Sequence, residues 1–249
     1  MSKLRQVGLD RRIKLEWLER TASLVSSNKQ KHEIQEALAE TLQGQVSGGG
    51  KARRGSREKT ITNLIRIWVS VPKACESLRD DGLALLQKLP VSAHLPVHWG
   101  MTMAVYPFFA TVAETAGRLL KLQASVTTFQ VQRRVQELFG QRETVVYAVQ
   151  KLLASMVNWG VLSTADKKGN YRGCARHAIK NIDLAVWMLE AVLMATNGNQ
   201  ASIRDISNYP GLFPFELPLP KIRDLESHER LETFRQGFGE EIVMLRKKG

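Results

Sequence analysis

Apolar residues recur three and four positions apart along much of the chain, and the sharpest such pattern lies between residues 125 and 172. Phe129, Val131, Val135, Leu138 and Phe139 form one stripe behind Thr127 and Thr128, whose hydroxyls suit a helix start. Gly140 stops that pattern. A second helical register runs from residue 143 to 159, with Val146, Val149, Leu153 and Met156 facing inward and Thr144, Tyr147, Lys151, Ser155 and Asn158 facing outward. After Gly160, residues 161–164 suit a strand, residues 166–170 a turn containing Gly169 and Asn170, and Tyr171 and Arg172 a returning strand. Two helices on a short Gly-containing turn, followed by a hairpin, predict a winged helix-turn-helix with the hairpin as its wing.

The remaining pattern is helical. Leu9, Ile13, Trp17 and Leu24 mark a first helix, and Ile34, Leu38 and Leu42 a second. Residues 43–55 are too rich in glycine for anything but a loop, after which Ser56 caps a helix carrying Ile61, Leu64, Ile65 and Trp68. Cys75, Leu78, Leu83, Leu86 and Leu89 suggest two short helices broken near Gly82. Pro96 and Pro107 suit the first turns of two buried helices over 96–105 and 107–122, and a strongly apolar helix covers 181–194. Four prolines between Pro210 and Pro220 forbid a helix there and predict an extended arm over 207–220, laid on the protein's own surface or offered to a partner. A last, acidic helix is expected over 225–245. No internal repeat is visible, and no other segment alternates like a strand. The expected fold is mostly α: a helical N-terminal lobe (1–95), a buried helix pair with the winged helix-turn-helix (96–180), and a C-terminal part of helices and extended arm (181–249).

Charge adds a function to this outline. The net charge of +12 points to an acidic partner, with nucleic acid ahead of an anionic membrane surface. Between Arg118 and Lys180 there are eleven Lys or Arg against Glu137, Glu143 and Asp166. A helix in the major groove needs cations for phosphates around polar side chains that reach base edges. Arg142, Lys151, Lys167, Lys168 and Arg172 suit the first role. Thr144, Tyr147, Ser155 and Asn158 suit the second, with Asn170 in the wing turn. Lys51, Arg53, Arg54, Arg57 and Lys59 form another basic zone at a helix N-terminus, unfavourable for the helix dipole unless a phosphate comes there; the alternative is a solvated basic loop. Residues 181–249 are slightly acidic and are expected to face away from DNA.

Other functions find little support. Gly50 and Lys51 are followed by Ala52, and Gln45 stands where a phosphate loop needs its first glycine. His94 with His98, and Cys174 with His177, have zinc-like spacing, but they read as structural residues, so no metal or cofactor is expected. No nucleophile triad or metal-binding carboxylate pair is convincing, which predicts a non-enzyme. Two cysteines make no disulfide framework and suit a reducing compartment. Residues 89–113 carry no charged side chain, yet Pro90, Pro96 and Pro107 argue for buried helices rather than a membrane span. The first 26 residues lack the apolar run of a secretory signal, so a cytoplasmic location is expected.

The order of Ser56-Arg57-x-Lys59-Thr60 leading to Leu64 and Trp68, a buried helix pair, Val126-Thr127, and helices ending Trp159-Gly160-Val161-Leu162 resembles the small accessory DNA-binding protein, component A, of bacterial BREX phage-defence systems. The resemblance covers roughly residues 56–162 and is one of pattern order. It implies a non-enzymatic bacterial protein that binds duplex DNA with little sequence preference beside larger proteins of the same system. The expected partner is therefore double-stranded DNA, with a homodimer left open. The alternative is a structural subunit whose winged helix and proline-rich arm make protein contacts.

Overall fold

The computed structural model describes residues 6–46, 55–165, 167–196, 198, 200–237 and 240–246. The chain is mostly helical. Helices α1 (Leu15–Ser26), α2 (Lys31–Thr41) and α3 (Ser56–Trp68) pack on one another, and α4 (Glu76–Lys88) leads to α5 (Leu95–Val105) and α6 (Pro107–Leu122). Then come β1 (Val126–Thr127), α7 (Thr128–Phe139), α8 (Glu143–Asn158), β2 (Leu162–Thr164), β3 (Asn170–Gly173) and β4 (His177–Ala178). The last part holds α9 (Ile182–Thr196), β5 (Gln200–Ser202), α10 (Ile203–Ser207), β6 (Phe215–Glu216), α11 (Ile222–Glu226), β7 (Leu231–Gln236) and β8 (Glu240–Leu245).

Helix α5 is buried at every position and packs on α9, which is apolar almost all round. Such helices have no solvent face and must lie at the centre. Pro96 and Pro107 stand in the first turns of α5 and α6, where the N–H that proline lacks has no helical acceptor. Trp187 of α9 donates its indole N–H to the Leu78 carbonyl at 2.9 Å. Gly82 and Gly100 leave room for its ring, since a Cβ at Gly100 would come within 2.5 Å of Trp187 Cζ3. Gly82 thus sits inside one continuous α4, and the expected break there is corrected to a packing site. One hydrophobic core runs from Leu9 to Val243 through all three regions that charge distinguished.

Two further expectations change, and a third narrows to one of its two alternatives. Leu9 and Ile13 are buried but precede α1, which starts at Leu15; the segment before it, with Lys14 extended at φ −88 and ψ 148, crosses to α8. The helix expected over 225–245 is α11 followed by the antiparallel hairpin β7–β8, paired from Leu231↔Leu245 to Gln236↔Glu240. Leu231 and Thr233 turn inward while Glu232 and Phe234 face out, a strand period, and Gly237 at φ 55 opens the turn. The arm over 207–220 lies on the protein's own surface: β6 pairs in parallel with β4, and Leu212 and Phe215 are buried.

A repeat invisible in the sequence emerges from the topology. A long helix (α6), a short strand (β1), two helices (α7, α8) and a hairpin form an antiparallel sheet in the order β1-β3-β2. A similar order recurs with α9, β5, α10, α11 and β7–β8, in the sheet order β5-β8-β7, except that the arm with β6 is interposed between α10 and α11. In both, a hydroxyl at the end of the short strand caps the next helix: Thr127 accepts from Gln130 N, and Ser202 from Asp205 N.

The arm's seat on α6 depends on Gly117, where a Cβ would fall 1.9 Å from the Pro210 carbonyl oxygen. Gly117→Ala should therefore destabilise the chain by about 1–3 kcal/mol through overpacking, against a helix-propensity gain of about 1 kcal/mol. An unchanged urea midpoint would contradict this packing.

Candidate nucleic-acid interface

The unit from α6 to β3 is built around one part of the common core. Val131, Val135 and Phe139 of α7 meet Val145, Val149, Leu152, Leu153 and Met156 of α8, with Val126, Leu162 and Tyr171 from the strands. Phe108 of α6 meets Phe139 edge-on, with ring centroids 4.9 Å apart. The start of α7 is a reciprocal capping box, Gln130 N to Thr127 Oγ1 at 3.1 Å and Thr127 N to Gln130 Oε1 at 2.8 Å. Gly140, at φ 88, ends α7 and lets the chain turn at once into α8.

The hairpin is held against this pair of helices. Gly169 has φ 82, and its carbonyl accepts from Thr128 N at 2.8 Å and Thr128 Oγ1 at 3.1 Å, which pins the hairpin tip to the first residue of α7. Asn170 is half-buried, and its backbone closes the turn with Lys167 O and Ala165 N. Lys167 and Lys168 are exposed on that turn, and Arg172 is exposed on β3 opposite Ser163.

Helix α8 divides along its length. Thr144, Tyr147 and Lys151 are exposed on one face, at the three-and-four spacing that aligns side chains. With Asp10 and Arg11 they line a concavity of about 280 Å³. Ser155, expected to face outward, is 1% exposed. Its hydroxyl accepts from Ile13 N at 2.8 Å and donates to Lys151 O at 3.0 Å, so it is an anchor for the N-terminal segment and not a contact surface. Asn158 is exposed, but its Oδ1 accepts from Leu15 N at 3.0 Å. Arg142 is half-buried and donates from Nη2 to the Phe139 carbonyl at 2.8 Å, closing the turn between the helices.

The other basic zone is described only in part. Arg57 is half-buried, with Nε 3.8 Å from Glu58, and Lys59 is exposed; Lys51, Arg53 and Arg54 lie outside the described residues. Arg11 beside α8, and the exposed Arg133 and Arg134 of α7, are cations that the sequence pattern did not single out. Arg11 and Arg12 lie on the extended segment before α1, ahead of the helix expected to begin near Leu9. Phe129 and Leu138, counted into the α7 stripe, are 70% and 55% exposed.

Two polar clusters resemble ligand sets. Asp81, Glu190 and His228 bring their ligand atoms within 4.8 Å of one another. Arg230 fills the space: its Nε and Nη2 reach Glu190 at 2.7 and 2.8 Å, and Nη2 also reaches Asp81. The guanidinium supplies the positive charge a metal would bring. His94 Nδ1 and His98 Nε2 both meet the Glu19 carboxylate, at 2.9 and 2.8 Å, and His94 Nε2 meets Leu89 O at 2.9 Å. Burial pushes the Cys75 thiol up to about 11, far from a poised nucleophile. Among the described residues no helix is long and apolar enough to cross a membrane. No protein-family model, curated protein or solved structure matches the chain.

Glu190 is almost fully buried, so removing its partner leaves an uncompensated charge. Arg230→Met should cost about 3–5 kcal/mol in a denaturant titration, and a loss under about 1 kcal/mol would show the pair to be dispensable. The Glu19 cluster has a pH signature. The hydrogen bond with His98, opposed by burial, holds the Glu19 carboxyl below the usual carboxylate range, and burial holds His98 below the usual histidine range. Both shifts let the unfolded chain bind more protons on the acid side. Their contribution is full above about pH 6.5 and is lost as the pH falls through the depressed values. The melting temperature should fall from about pH 7 towards about pH 4, and Glu19→Gln should steepen the part of that fall just below about pH 6.5, because the Glu19 carboxylate raises His98 against its burial; parallel profiles for parent and variant would refute the assignment.

Proposed function

We propose that the unit from α6 to β3 is a winged helix-turn-helix and that the protein binds double-stranded DNA without catalysing a reaction on it. In that reading α8 enters the major groove through Thr144, Tyr147 and Lys151, and the β2–β3 hairpin lies along the phosphate backbone. The observation that carries it is the pairing of two exposed cations, Lys167 and Lys168, with a hairpin tip tied to α7 through Gly169 and Thr128. A fixed pair of charges in the same unit as a polar helix face suits a phosphate backbone next to base edges. The local excess of cations between residues 118 and 180 supplies the wider attraction. An accessory or regulatory role in bacterial phage defence, in the cytoplasm and beside larger proteins, rests on the resemblance over residues 56–162.

The reading in which the protein is a structural subunit draws on the exposed Phe129 and Leu138. It loses the proline-rich arm, whose Leu212 and Phe215 are turned into the core.

The double substitution Lys167→Glu/Lys168→Glu tests the DNA reading in the full-length chain. Both side chains are exposed, so the melting temperature should stay at the parent's value. Affinity for a random-sequence duplex should drop roughly tenfold or more at about 0.1 M salt, and the plot of log affinity against log salt should flatten by about 0.9 in slope for each phosphate no longer neutralised. Unchanged affinity and slope would remove the hairpin from the interface and leave either the protein-contact reading or a duplex footprint elsewhere on the chain, such as the basic zone over residues 51–59.

A further inference from the structure

We infer that Arg11 and Arg12, on the extended segment before α1, bind nucleic-acid phosphates beside α8, so that the N-terminal lobe contributes directly to the interface. The inference rests on the DNA-binding reading above and adds to it a second source of cations.

The exposed face in the first half of α8 carries Glu143, Thr144, Tyr147, Gln150 and Lys151, one acid against one base. Arg142 turns its Nη2 back onto Phe139 O. A helix in a groove between two phosphate strands needs flanking cations, and α8 alone supplies little net charge for them.

The N-terminal segment brings those cations to the same place. Leu9 and Ile13 are buried on either side of residues 10–12. Ile13 N donates to Ser155, Leu15 N donates to Asn158, and Trp159 Nε1 donates to Ile13 O at 3.0 Å. On the other side Gly8, at φ 69, sits 3.1 Å from the Tyr106 ring, measured from where a Cβ would be. The segment is thus fastened at both ends, and Asp10 and Arg11 are set against α8 before any ligand arrives, which lowers the entropy cost of binding.

Within the concavity formed with Thr144, Tyr147 and Lys151, Arg11 is poorly matched. Its Nε is buried without a hydrogen-bond partner, its Nη1 reaches only its neighbour's backbone, Asp10 O, at 3.3 Å, and its Nη2 lies 3.8 Å from the Asp10 carboxylate. The buried Nε is closed to a ligand, but Nη1 and Nη2 keep N–H groups beyond their contacts with Asp10, and these suit phosphate oxygens. Arg12 is exposed next to it. Asp10 opposes a phosphate at this mouth, so its charge should limit affinity.

The test uses the full-length chain and a fluorescent random-sequence duplex, titrated by anisotropy at several salt concentrations. Arg11→Ala/Arg12→Ala should weaken binding roughly tenfold at about 0.15 M salt and reduce the log–log salt slope by about 0.9 for each phosphate left without its arginine. Asp10→Asn should tighten binding. Arg12→Ala alone, at an exposed position, should show about half the reduction in slope with an unchanged melting temperature, which covers the case in which the double variant folds poorly. If the arginine variants bind like the parent while the Lys167/Lys168 reversal abolishes binding, the N-terminal segment is not part of the interface and the DNA reading stands. If neither set changes duplex binding, the reading of α8 and the hairpin as the DNA interface fails and this inference fails with it.

Discussion

Trp99 is the side chain on which the arrangement of the molecule turns. It lies in the middle of the fully buried α5, and its ring meets four others edge-on: Phe109 of α6, Trp159 at the end of α8, and Phe213 and Phe215 of the arm, at centroid distances of 5.0, 5.7, 5.8 and 5.6 Å. Its indole N–H is satisfied by Gly211 O at 3.1 Å. Aromatic pairs of this geometry add about 0.5–1.5 kcal/mol each beyond the area they bury. One side chain therefore ties the central helix to α8 and to the C-terminal arm. Trp159 passes the connection on by donating to Ile13 O, so the N-terminal segment is fastened to the same aromatic cluster.

That linkage explains the divided use of α8. Its C-terminal half, through Ser155, Asn158 and the adjoining Trp159, holds the lobe in place. Its N-terminal half stays open beside Asp10 and Arg11. The helix cannot turn about its axis to offer a ligand a different face without breaking the bonds to residues 13–15. Any partner of the open half therefore meets a surface whose two sides, helix and segment, are held in one register.

What the sequence made legible were features with a local cause. Pro96 and Pro107 mark the first turns of α5 and α6, Thr127 caps α7, Gly140 stops it, and Gly169 with Asn170 closes the hairpin, because each acts through its own backbone or the next turn. The errors came where a distant neighbour decides. Ser155 reads as outward on a helical wheel but is covered by Ile13, 142 residues away. Leu9, Ile13 and Trp17 have helical spacing, yet the first two fill pockets from an extended stretch of chain. Gly82 looks like a helix breaker and is a seat for Trp187. The strand period of residues 231–234 is only four residues long, and its pairing partner over residues 242–245 comes from further along the chain. Among candidate phosphate ligands, the exposed lysines of the hairpin were recoverable from turn chemistry alone; the place of Arg11 was not, since it depends on the docking of the lobe.

The recurrence of one strand order in α6–β3 and α9–β8 makes the molecule its own comparison. Strand order and the hydroxyl cap are shared, while the surface differs: the first hairpin turns on Lys167 and Lys168, and the second leads into Glu240 and Glu241. The second unit is also bound to the centre by Arg230, which bridges Glu190 and Asp81. Two units with the same strand order thus differ in surface, one with lysines on its hairpin turn and one braced internally by Arg230. Within a single chain, one strand order carries two surfaces of opposite charge, Lys167 and Lys168 on one hairpin and Glu240 and Glu241 on the other.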